Sequence, residues 1–100
     1  MAYLNLRGVP PMTGDMLIAF NSIKDENLKE AVVHVRNELW GMSTRAYFDR
    51  FEAALTFLKE DMGTPDEEVG ELLAEGLDRL AEHVAALDPK RWNSTMFPKG

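Results

Sequence analysis

Between Ser43 and Leu87 the apolar residues recur in steps of three and four, interrupted once, at Met62-Gly63-Thr64-Pro65-Asp66-Glu67. That rhythm is the period of an α-helix with one face on a core; a strand would require alternation. Tyr47, Phe48, Phe51, Ala54, Leu55, Leu58 and Met62 form the first stripe, and Val69, Leu73, Leu77, Leu80, Val84 and Leu87 the second. Ser43 is placed to cap the first helix, and Gly63 to end it in the left-handed conformation. Thr64 as N-cap, Pro65 at the first helical position and Glu67 three residues after the cap predict where the second begins. Asp66, Glu67 and Glu68 add negative charge at the positive end of the helix dipole, worth about 0.3–1 kcal/mol each. Pro89 ends this helix at Asp88, because the residue before a proline disfavours the helical conformation. So short a connection at Gly63-Thr64 predicts two helices packed antiparallel on their stripes.

The flanks fit the same class. Met1 to Met12, with Gly8 and Pro10-Pro11, reads as an extended arm lying across the bundle, with exchange into a second copy as the alternative. Thr13 starts a short helix through Phe20, a run that by period alone could equally be a buried strand; Asn21-Ser22 breaks it, and Ser22 with Asp25 begins a new or continuing helix. Leu28, Ala31, Val32, Val35 and Leu39 are its stripe, with Gly41 as the stop. The tail from Asp88 has no helical period, yet Trp92, Met96 and Phe97 are too apolar for a disordered end and should dock, first on their own bundle. The expectation is an all-α fold in one domain over residues 1–100. It has a compact bundle of three to four helices (13–87), an extended N-terminal arm (1–12) and a short aromatic tail (88–100).

Charge is concentrated. Of a net −6, residues 41–87 carry eleven acidic and four basic groups, residues 1–40 five and four, and residues 88–100 one and three. An acidic hairpin repels nucleic-acid phosphates and favours basic partners. There is no cysteine, hence neither disulfides nor thiol chemistry, and Met1-Ala2-Tyr3 opens without the basic and apolar regions of a signal peptide. A cytoplasmic protein without a membrane span is expected. Asn93-Ser94-Thr95 matches a glycosylation sequon, a chance match in that setting.

The constellations of known chemistries are missing. The Gly63 turn has the spacing of a helix-turn-helix, but the recognition helix would begin Asp66-Glu67-Glu68, which phosphate repels. Glu30, His34 and Glu38 share a helix face, yet two histidines without paired Glu-x-x-His motifs make neither a di-iron nor a zinc site. No nucleophile elbow and no phosphate-cradling glycine loop occurs. Neither a metal nor a cofactor is expected.

Two helices carry more apolar surface than one contact uses. Val33 and Trp40 project away from the Leu28 stripe, on the side of Lys29 and Arg36, and Ala46, Ala53 and Phe57 form a second side of the Ser43 helix. Neighbours in the same chain would account for this; so would a second chain. The functional expectation is a non-enzymatic regulator or inhibitor that occupies another protein's surface. Val33, Arg36, Trp40 and Phe57 would lie at the contact, and Glu67, Glu71 and Glu75 would steer a basic target. A homodimeric accessory subunit and an acidic nucleic-acid mimic are the alternatives, and an enzyme using acidic residues ranks last.

Overall fold

The computed structural model describes residues 9–42, 45–93 and 96–97. The expected cap Ser43, the arm before Val9 and tail positions 94, 95 and 98–100 lie outside the described residues. Helices α1 (Gly14–Asn21), α2 (Glu26–Met42), α3 (Arg45–Thr56), α4 (Asp66–Glu75) and α5 (Leu77–Leu87) follow in order, with a π-type turn, Phe57–Asp61, extending α3. Among the described residues there is no strand. Among the described residues there are five helices, which roughly fits the expected bundle of three to four because the stretch expected as one helix from Thr64 to Leu87 is two.

α3 is the rod on which the bundle is built. Phe48, Phe51, Ala54 and Leu55 on it, and Phe57 and Leu58 in the turn beyond, are all buried. α3 packs against α1, α2 and α5, and α4 packs against α5 and α2. The anticipated hairpin therefore holds mainly through α5, while α4 leans onto α2. Of the second side that the sequence left without a partner, Phe57 is covered within the chain, lying against Trp92 of the tail with ring centroids 5.7 Å apart, whereas Ala53 is half-buried and Ala46 exposed. Tyr47 meets Phe97 edge-on at 6.3 Å, and Arg50 Nη1 donates to the Met96 carbonyl at 2.9 Å. Burial of Val9 and a hydrogen bond from Arg36 Nη2 to the Pro10 carbonyl at 3.0 Å dock the end of the arm.

The turn after α3 is where local signals and tertiary structure part. Met62 N–H bonds to the Phe57 carbonyl five residues back, widening the last turn. Gly63, at φ 63°, then lets Thr64 N–H reach the Leu58 carbonyl at 2.8 Å. Thr64 is thus bound into the end of the preceding helix and buried, and it does not cap α4. Pro65 takes the cap position with no side-chain cap hydrogen bond, so the Thr64–Glu67 capping box is absent. Asp66, the first residue of α4, instead accepts the backbone N–H groups of Lys24 and Asp25 at 2.7 and 3.2 Å and the Lys59 ammonium at 2.6 Å. Asp25 in turn caps α2, accepting from Asn27 N–H at 2.9 Å.

Gly76 divides the last helical stretch. Its φ of 118° and ψ of 165° are far from helical and open to glycine at little cost. The break shifts the phase of the apolar face: Val69, Leu72, Leu80, Ala81 and Val84 are buried, Leu73 and Leu77 half-buried, and Leu87 is exposed. The expected single stripe of Val69, Leu73, Leu77, Leu80, Val84 and Leu87 is therefore corrected: Leu72 and Ala81 join the buried face, Leu73 and Leu77 lie at its edge, and Leu87 lies outside it.

Candidate functional site

α4 carries acidic residues at Asp66, Glu67, Glu68, Glu71 and Glu75 and no basic residue. Asp66 is turned inward onto Lys59 and the α2 entry, which leaves the four glutamates exposed. The turn at Gly76 brings α5 back beside α4, so that Arg79 and His83 stand across from them. The result is a groove of about 460 Å³ lined by Pro65, Glu67, Glu68, Glu71, Leu72, Glu75, Arg79 and His83.

Two contacts cross or bridge the groove: Glu68 Oε2 lies 3.4 Å from His83 Nε2, and Glu75 Oε1 lies 3.1 Å from Arg79 Nε. Arg79 also reaches Glu82 at 3.7 Å. Glu67 and Glu71 are left without an ion pair among the described residues. Four carboxylates facing one guanidinium and one imidazole give a lining of net negative charge, rich in acceptors. Such a surface takes ammonium and guanidinium groups and repels anions.

On its other side α4 is small and apolar. Gly70, Leu73 and Ala74 meet Leu28, Ala31 and Val35 of α2 across a groove of about 340 Å³, rimmed by Asp25, Asn27 and His34. The flank of small residues containing Gly70 and Ala74 leaves this space because neither side chain fills it. His34 pairs with Glu38 at 3.2 Å on the exposed face of α2. Among the described residues no three His, Asp or Glu side chains converge as metal ligands, and no helix is long and apolar enough to cross a membrane.

The residues singled out from the sequence do not come together in one place. Glu67, Glu71 and Glu75 come together in the acidic groove. Arg36 and Trp40 meet instead around Phe48: the Trp40 ring packs edge-on at 4.9 Å, and the Arg36 guanidinium lies over the same ring at 5.0 Å. Arg36 is only 6% exposed, with Nε donating to Glu52 Oε2 at 2.7 Å, so it is a buried structural cation. Val33 is half-buried, and Phe57, 5% exposed, belongs to the core. Neither Arg36 nor Phe57 presents its side chain as a surface anchor. Glu68, Leu72, Arg79 and His83 were not selected from the sequence. Glu68 lies one turn before Glu71 and was legible, but the positions of Arg79 and His83 depend on the Gly76 turn.

No known protein family, no curated protein and no solved structure matches the chain. Among the described residues the architecture is all-α, with five helices, one of them strongly acidic.

Proposed function

We propose that this protein is a non-enzymatic regulator or inhibitor that acts by holding a basic surface of another protein. The observation that carries the reading is the groove in which four exposed glutamates face Arg79 and His83. Acidic side chains distributed in this way raise the encounter rate with a basic partner more than they raise affinity. The apolar groove on the other side of α4 offers side-chain contacts to a basic segment that crosses the helix. Trp40, half-buried on α2, would contribute only at the edge of such a contact.

The test compares capture by the native chain with capture by Glu67→Lys/Glu71→Lys/Glu75→Lys. A partner with a basic surface should be retained by the native chain at low salt, and released both by raised salt and by the triple substitution, with helical content unchanged by circular dichroism. Capture that survives charge reversal and salt would overturn the reading. A second reading, a homodimer, is favoured by Leu17 and Ile18 of α1, which stand 46% and 58% exposed side by side. Sedimentation over a concentration series separates the two.

A further inference from the structure

The tail forms a cavity whose chemistry is the reverse of the acidic groove. About 280 Å³ in volume, it is lined by Arg50, Arg91, Trp92, Asn93 and Met96, without an Asp or Glu in its wall. Arg50 uses one donor, Nη1, on the Met96 carbonyl. A guanidinium has five N–H donors and no acceptor, and among the described residues no other acceptor is engaged by this one. Arg91 lies 5.0 and 5.3 Å from the Trp92 and Phe57 ring centroids, which restrain the plane of its guanidinium. An ion pair to Asp61 at 3.5 Å joins two half-exposed side chains and is readily exchanged. Trp92, which lines this cavity, also has its indole Nε1 buried with no hydrogen-bond partner among the described residues. Buried donors are nearly always given an acceptor in native structures, so this one marks a place where an acceptor is missing.

We propose that this cavity binds a small oxyanion, a phosphate or a carboxylate, held by Arg50 and Arg91. Guanidinium groups match both ions with paired N–H donors, and a small turn of the indole gives Trp92 Nε1 the acceptor it lacks. A water takes roughly 30 Å³ of liquid, so the cavity admits an anion with a small organic body as well as a bare ion. The overall charge of −6 selects against extended polyanions, leaving compact ones.

The experiment follows the Trp92 indole N–H by nitrogen-15 NMR in a Trp40→Phe background, where it is the single indole signal. Inorganic phosphate and acetate are titrated separately at constant ionic strength, with chloride as the balancing anion. A saturable displacement by either supports the site, and which anion saturates distinguishes the source. Arg91→Gln, at an exposed position, should keep the circular dichroism spectrum and weaken binding by about tenfold or more. Arg50→Gln should do the same. A signal that neither anion moves beyond the chloride control, or an Arg91→Gln variant that binds as well as the parent, would overturn the assignment.

Discussion

Removing the Asp66 carboxylate should loosen three segments at once. Its Oδ2 holds the amides of Lys24 and Asp25 at the entry to α2, and its Oδ1 holds Lys59, whose side chain is 9% exposed. After Asp66→Ala the buried ammonium keeps, among the described residues, only the Thr64 carbonyl, 3.0 Å away. Hydrogen bonds to charged groups contribute about 1.5–3 kcal/mol, and breaking a fully buried pair costs about 3–5 kcal/mol. The Asp66 side chain is 20% exposed, and water can reach the two amides, so the expected loss is about 2–4 kcal/mol. In a chain of this length that lowers Tm by roughly 10–25 °C.

The effect should depend on pH in a set direction. The Lys59 hydrogen bond, opposed by burial and assisted by the Lys24 and Asp25 amides, holds the Asp66 carboxyl below its ordinary value. A carboxyl depressed in the folded state contributes stability that is complete above its unfolded pKa of about 3.9 and is lost as pH falls through the folded value. Urea unfolding of both proteins from about pH 6 down to about pH 2.5 should therefore show the difference between them shrinking below about pH 4. A difference under about 1 kcal/mol at neutral pH, or one that stays constant into acid, would refute the assignment of Asp66 as the joint between α2, α4 and the turn.

Gly76→Ala tests the break between α4 and α5. An unbroken helix would gain about 1 kcal/mol from alanine, whereas the observed backbone at φ 118° should lose about 1–3 kcal/mol; the sign of the change in urea midpoint decides. No heavy atom lies within 4 Å of the added Cβ, so the loss would be backbone strain and not a clash. At the buried pair, Arg36→Ala should cost about 3–5 kcal/mol by leaving Glu52 without its partner. Arg36→Met with Glu52→Leu should restore most of that stability in the same denaturation assay, and failure to do so would assign the loss to the Pro10 and Phe48 contacts instead.

What the sequence by itself determined is local: helical class, the stop at Gly63, the break after Asn21 and the acidic face of α4 all follow from residue period, glycine conformation and charge spacing. These signals act within one or two turns of chain, so they can be read without knowing what packs where. The docking of Trp92, Met96 and Phe97 was legible too, because apolar bulk in a tail requires cover. Tertiary structure alone decided how competing local options were settled. Thr64 was the cap its local sequence signals, yet Pro65 takes that position, and Asp66 is held instead by contacts about forty residues away in sequence, at Lys24 and Asp25. Within a helix Gly76 would cost only about 1 kcal/mol relative to alanine, but α4 leans onto α2 and α5 onto α3, and glycine is the residue that lets the chain turn between those two supports. The same holds for Arg36 and Phe57: helical phase placed them off a stripe, and only the positions of Glu52 and Trp92 turned those faces into interior.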